Sequence, residues 1–284
     1  MKLILSRKGF DSSAGGVPSP IFPDGQMLSL PIPDDQSVIR YGDIRYFGGS
    51  MGNLVASLTK QRITADHHAH LDPDLIKTSI TRSRGWQPLF GQTGSAQSHL
   101  RNNGVGPGDL FVFFGLFRTV ELQDGVWRWA KESNPKHVIW GWMQVDKKLR
   151  LAEMDPFNYS WAHYHPHWGR VEDTNNHLYV GRRNLEMGGN KTKMPGAGVF
   201  PRFYPQLQLT APDADRVSLW QLPGCFYPGK SQDPLTYHKD RKRWRKTGGK
   251  TELMAAARGQ EFVLNGDQYP KALDWAYGLI EELI

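Results

Sequence analysis

Three histidines stand at every second position of WAHYHPHWGR (161–170): His163, His165 and His167, ringed by Trp161, Tyr164 and Trp168. In an extended chain alternate side chains share a face, so the three imidazoles would point the same way. Imidazole serves as metal ligand, proton carrier or hydrogen-bonding partner near neutral pH. A His-x-His pair can grip one ion, but three at this spacing reach too far to do so easily. Pro166 lacks an N–H and places the segment at a sheet edge or strand end. Two histidines in a pocket and one toward water is the expectation. A metal site, a lined pocket and a polar rim all stay open.

A second cluster, DHHAHLDPD (66–74), sets Asp66, His68, His70, Asp72 and Asp74 in one parity. His68-x-His70-x-Asp72 resembles the zinc-binding motif of metallo-β-lactamase-type hydrolases, which activate water on bound metal. Those enzymes place a histidine straight after the aspartate, where this chain has Pro73. Asp72-Pro73-Asp74 is also good turn and helix-start chemistry. The segment is therefore expected to hold no stoichiometric metal. A metal-dependent hydrolase using His68, His70 and Asp72 is kept as the alternative.

A third candidate is RKGFDSSAGGVPSP (7–20), where Lys8, Asp11, Ser12, Ser13 and a glycine pair follow a strand. A cation, a carboxylate, hydroxyls and bare backbone N–H groups together suit phosphate in a turn. P-loop spacing is missing, which argues against nucleoside triphosphate hydrolysis. The fourth is HKDRKRWRKTGGK (238–250), with seven Lys or Arg against one Asp in a chain of net charge +7. Lys239, Arg241, Lys242, Arg243, Arg245 and Lys246 could track a phosphate backbone, and Trp244 among them could stack on a base. A solvated basic loop or helix face explains the same residues equally well.

The elements that must carry these groups are legible from periodicity. KLILS (2–6) reads as a strand, and SPIFPDGQMLSLPIP (19–33) as a hairpin around Pro23-Asp24-Gly25. Helical spacing covers 50–61 and 93–103, the latter closed by Gly104. LFVFFGLFRTVEL (110–122) and KHVIWGWMQV (136–145) are apolar on both faces and should be central strands. Shorter strands fit 175–183 and 260–265, and a helix opened by Pro270 fits 270–284. No repeat, low-complexity tract or linker divides the 284 residues, so one α+β domain is expected, with a mixed, mostly antiparallel sheet and flanking helices. The N-terminal apolar run is too short for a secretory signal, and no run approaches a membrane span. The lone cysteine, Cys225, excludes internal disulfides and cysteine-rich zinc sites. A cytoplasmic location is the expectation.

The phrases RKGFDSSAGGVPSPIFPDG, SLPIPD, HLDPDL, LFGQTGSAQSHL, GDLFVFFGLFR, HVIWGWMQV, HPH, NHLYV and RGQEFVL together resemble the third family of nucleotide modification associated domains, known from bacterial and phage genomes. The resemblance runs through nearly the whole chain. It implies an α+β fold and a link to modified bases, without fixing a reaction. Residues 104–185 are similar, more weakly, to the PUA-like barrels of EVE and ASCH domains, which hold a base in an aromatic pocket. Trp140 and Trp142 would line such a pocket or sit in the core, as tryptophans commonly do.

The combined expectation is a protein that acts on or recognises a modified nucleotide or base in DNA or RNA. Lys8, Ser12, Ser13, Arg118 and Trp142 would bind the substrate. Were it an enzyme, a nucleotide- or base-modifying transferase or a glycosidic-bond hydrolase, Asp11 would act as nucleophile or base and His163, His165 or His167 as proton donor. A reader of base modification without catalysis is the alternative from another class. At least one of the three histidines is expected to border a pocket shared with the Lys8–Ser13 turn. Cofactor and oligomeric state stay open.

Overall fold

A computed structural model describes residues 1–47 and 49–284. The main sheet has nine strands: β1 (Lys2–Arg7), β2 (Ser19–Ile21), β3 (Leu89–Gln92), β4 (Leu110–Gln123), β5 (Val126–Trp129), β6 (Lys136–Arg150), β7 (His177–Gly181), β8 (Ala197–Val199) and β12 (Glu261–Asn265). A smaller sheet is built from β9 (Leu219–Pro223), β10 (Trp244–Thr247) and β11 (Lys250–Met254). The main path runs β12-β1-β4-β6-β7-β3, with β2 and β5 beside β4 and β8 beside β6. Pairing is antiparallel except where β1 and β2 run parallel to β4. The fold is α+β and mostly antiparallel, as expected.

β4 and β6 lie in the middle because both faces of each are apolar. Phe111 and Phe113 pack on one face against Phe90 and Tyr179, while Phe114 packs on the other against Trp220 of β9 and Phe262 of β12. A strand covered on both sides cannot keep a polar face, which explains the near-continuous apolar run. The sheet curls until its path ends meet through side chains: Gln92 of β3 donates to Glu261 of β12 at 2.7 Å. Among the described residues no backbone ladder joins those ends, so the PUA-like barrel expected over 104–185 is an open, curled sheet.

Among the described residues three α-helices flank it: α1 (Met51–Leu58), α2 (Gly94–Asn102) and α3 (Pro270–Leu283). Gly104 follows α2 at φ +62°, while the amide of Val105 reaches back to Leu100 O, a left-handed helix stop that glycine adopts without strain. Apolar side chains from Phe10 to Leu71, joined by Val120, gather around α1 into a second core, with Phe10, Leu30, Tyr41, Leu54, Val55 and Ala69 fully or almost fully buried. Among the described residues no helix is long and apolar enough to cross a membrane.

Two local expectations are corrected. WAHYHPHWGR is not extended: Pro156–Ala162 and Pro166–Arg170 form 3-10 turns, each opened by its proline. With three residues per turn, alternation no longer governs, and His163 is exposed while His165 and His167 are buried. The basic stretch is no helix face. It forms a short turn and the β10–β11 hairpin, and Trp244 is buried with its indole donating to His238 O at 2.8 Å. That indole is not free to stack on a base.

Two buried histidines away from the site make stability pH-dependent. His137 Nδ1 accepts from Trp220 Nε1 at 2.9 Å, and His238 Nε2 accepts from the Ala256 amide at 2.9 Å, so each ring must stay neutral. Burial pushes His137 down to about 3 and His238 down to about 4. A folded-state pKa below the unfolded one means the unfolded chain binds protons first. Stability is therefore full above about pH 6.5 and falls below it, by up to about 1.4 kcal/mol per pH unit for each group. Urea midpoints measured from about pH 7 to about pH 5 should fall for the wild type and fall less for His137→Asn, which keeps an acceptor but cannot titrate. His70, shifted in the opposite direction, is common to both proteins and cancels from the comparison. Equal slopes in the two proteins would remove His137 from the account.

Candidate functional site

The two histidine-bearing segments meet across β3. On one side the chain bends sharply at 69–72, where Leu71 N bonds Ala69 O at 3.1 Å and Asp72 N bonds His70 O at 2.7 Å. These tight turns break strand alternation between His70 and Asp72, and His68 stands apart from the cluster with its Nδ1 facing Ser37 O. Asp74 then pairs with Leu89, laying the segment beside β3. On the other side, Ala162, Trp161 and Trp168 pack on Leu89 and Val180, holding the 3-10 turns against β3 and β7. Between them lies Gly91. A Cβ there would sit 2.2 Å from His167 Cδ2, so only glycine leaves room for the ring.

Four side chains converge: His70, Asp72, His165 and His167. Asp72 Oδ1 accepts from the Gly91 amide at 2.7 Å and lies 3.2 Å from His165 Nε2. Its Oδ2 is 3.7 Å from both His70 Nε2 and His167 Nε2, beyond hydrogen-bonding distance. The outer nitrogens are tied down. His70 Nδ1 meets Asp34 Oδ2 at 2.6 Å, and that oxygen also accepts from Arg170 at 2.9 Å; His167 Nδ1 meets Asn176 Oδ1 at 2.6 Å. His165 Nδ1 takes the His167 amide at 3.4 Å, while its buried Nε2 has no well-formed hydrogen bond among the described residues.

Charge follows from this packing. Burial alone would raise the Asp72 carboxyl, yet His165 and His70 beside it hold it well below the usual carboxylate range. Burial pulls His70 down, but Asp34 and Asp72 outweigh that and hold it above its ordinary value. Burial pushes His167 down to about 4. The cluster at neutral pH is thus a carboxylate facing at least one neutral imidazole, a set able to take a proton or a cation.

Asp72 also lines a cavity of about 400 Å³ that opens between the main core and the core around α1. Its wall takes Trp140, Phe200 and Leu75 from the first and Leu28, Met51 and Leu71 from the second. Arg45, Tyr46 and Phe47 also line it, and Phe47 is 59% exposed with φ +39°, a left-handed backbone that costs a side-chain-bearing residue about 1–3 kcal/mol. Asp74 lines it too, but its oxygens are engaged by Arg82 at 2.6 and 2.7 Å, Trp86 at 3.2 Å and Tyr164 at 2.5 Å. Asp72 is thus the carboxylate with capacity to spare.

The other candidate residues fall elsewhere. Asp11 spends Oδ1 on its own turn, accepting from Ser13 N, Ser13 Oγ and Ala14 N, and Ser12 and Ser13 are exposed. Lys8 is an ion-pair partner of fully buried Glu261 at 2.7 Å. Of the 8–13 turn only Gly9 lines the cavity, and the histidines touch it only through Asp72. Arg118 is bound to Ala130 O and Ser133 near the β4–β5 hairpin. Trp142 is buried against Phe200 and donates to Pro195 O; Trp140, at a bulge in β6, is the indole in the cavity wall. In the basic segment Arg241 and Arg243 hold backbone carbonyls and Arg245 pairs with Glu252, while Lys239, Lys242 and Lys246 stay exposed.

Asp34, Gly91, Arg170 and Asn176 stand inside SLPIPD, LFGQTGSAQSHL, WAHYHPHWGR and NHLYV, but the reading of the sequence assigned none of them a role, since each acts on a residue distant from it or on a turn. The DHHAHLDPD motif lacks its next imidazole because Pro73 occupies that place, and the 165–167 turn supplies it from some 90 residues away. The chain belongs to the family of Nucleotide modification associated domain 3, whose profile matches residues 2–265. Among curated proteins and solved structures no match to the chain is found.

Proposed function

We propose that the chain takes a nucleobase, carried by a nucleotide or a nucleic acid and already modified or about to be, into the cavity beside Asp72, and acts on it there. The observation that carries this reading is the wall of the cavity: apolar and aromatic along its length, with one under-used carboxylate. A volume of about 400 Å³ lies in the range of ligand sites, which pair apolar walls with a few convergent polar groups. A carboxylate accepts from the exocyclic amino group of a base, and aromatic faces stack on its plane. Phe47 supplies an exposed face at the rim and Arg45 an exposed cation for a phosphate. Family membership supports the substrate class. An enzyme is favoured over a reader because the cluster behind Asp72 offers proton-carrying groups that a binding pocket does not need.

The test uses a panel of modified and unmodified nucleosides, nucleotides and short oligonucleotides, read by binding and then by product analysis. Phe47→Ala should weaken binding by about 1–3 kcal/mol, the usual worth of one stacked base, with little effect on folding. Arg45→Ala should weaken phosphorylated ligands and spare the free base. Binding without turnover by any member would favour the reader. No binding by any member, or binding indifferent to both substitutions, would overturn the reading.

A further inference from the structure

We propose that His70 Nε2, Asp72 Oδ2 and His167 Nε2 form a binding site for one divalent first-row transition-metal ion. These donor atoms all lie within 4.8 Å of one another. Two donors on a tetrahedral ion at about 2.05 Å stand about 3.3 Å apart, so the two 3.7 Å separations from Asp72 Oδ2 need a small contraction, and the two imidazoles, within 4.8 Å of each other, close on the ion by a larger one.

Three features separate this site from an ordinary buried hydrogen-bond cluster. First, the three groups do not satisfy one another: at 3.7 Å Asp72 Oδ2 is out of reach of both imidazoles, and it takes no hydrogen bond among the described residues. Second, the outward nitrogens of both ligand histidines are fixed by oxygen acceptors, Asp34 behind His70 and Asn176 behind His167. An Nδ1–H held in this way leaves the Nε2 lone pair free and aimed, which is how metal-bound histidines are oriented. Third, His165 is 1% exposed, and its Nε2, 3.2 Å from Asp72 Oδ1, has no well-formed hydrogen bond among the described residues. Buried polar atoms without partners are rare and call for an occupant.

The donor set also selects the ion. Two imidazoles and one carboxylate suit zinc or iron(II), whereas magnesium and calcium prefer oxygen throughout. Three protein ligands leave coordination positions open, the pattern of sites that do chemistry and not of sites that only brace a fold. The proposal shares Asp72 with the cavity reading, but its test uses the metal alone, so it stands or fails apart from what the cavity binds.

The test is made on the full chain, stripped with chelator and titrated separately with cobalt(II), zinc and anaerobic iron(II), with magnesium as a control. One cobalt ion per chain, with visible d–d absorption displaced by zinc, is the expected result. His167→Ala and Asp72→Ala should abolish it. Asp34→Asn should weaken it about 10–100-fold through the outward nitrogen of His70, and exposed His163→Ala should leave it unchanged. No stoichiometric ion on the folded wild type, or binding that survives both ligand substitutions, overturns the site. Should the ligand variants fail to fold, Asp34→Asn decides: weaker affinity together with a metal-induced rise in wild-type melting temperature sustains the site, and unchanged affinity overturns it.

Discussion

Asp74→Ala should cost about 3–5 kcal/mol of folding stability, although Asp74 contributes nothing to the His-Asp cluster itself. Its carboxylate is 1% exposed and takes both terminal nitrogens of Arg82, whose side chain is only 5% exposed. Removing the aspartate leaves a buried guanidinium without its counter-charge, the costly half of a broken ion pair. The loss should spread to the site. Tyr164 and Trp86 also bind this carboxylate, and the phenol of Tyr164 is the last anchor before His165. Urea unfolding gives the stability, and the cobalt titration gives the state of the site. Replacing both charges, Asp74→Leu with Arg82→Met, should recover most of the stability, because a buried pair is worth little more than well-packed apolar groups. Site occupancy should not recover with it, because Tyr164 has still lost its acceptor. A cost under about 1 kcal/mol for Asp74→Ala would mean that water reaches Arg82 and that the network does not brace the site.

How much of this was legible in the sequence depends on the range of each interaction. β4 and β6 declare themselves because apolar residues in both parities need cover on both faces. Helices α2 and α3 declare themselves through Gly104 and Pro270, which act within a turn. Both histidine segments were also visible as chemistry. What the spacing could not convey was their meeting. Alternation predicts one face for His68 and His70, and again for His163, His165 and His167, only while the chain stays extended. Tight turns at 69–72 and 3-10 turns at 156–170 replace extension in both places. One histidine of each set is turned out, His68 to a backbone carbonyl and His163 to solvent.

In the basic stretch, too, range decides what is legible. Its charge count is a property of the sequence, but the use of each cation is a property of the fold. Arg241 and Arg243 close loops on carbonyls, and Trp244 anchors the hairpin in the core. Lys8 repeats the lesson. It stands beside a phosphate-friendly turn, yet its partner, Glu261, arrives from the other end of the chain. Long-range pairing of this kind leaves no periodic trace.

Gly91 is the sharpest case, since a lone glycine in a strand usually reads as a bend or a bulge. Its backbone is not left-handed, so alanine would ordinarily be tolerated and would even stabilise by about 0.4–1 kcal/mol through the unfolded chain. Here the added methyl would meet His167 Cδ2 at 2.2 Å, and Gly91→Ala should instead destabilise by about 1–3 kcal/mol, the usual cost of overpacking. His167 cannot simply swing aside, because Asn176 holds its Nδ1 and, through Arg170 O and His167 O, the turn that carries it. The decisive measurement is a double-mutant cycle. In the His167→Ala background the ring is gone, and the same Gly91→Ala change should be neutral or slightly stabilising. A coupling of at least about 1 kcal/mol between the two positions would establish that β3 carries glycine to seat the imidazole. Equal effects in both backgrounds would show that the ring relocates freely, and an imidazole free to relocate cannot hold the place that the cluster around Asp72 requires of it.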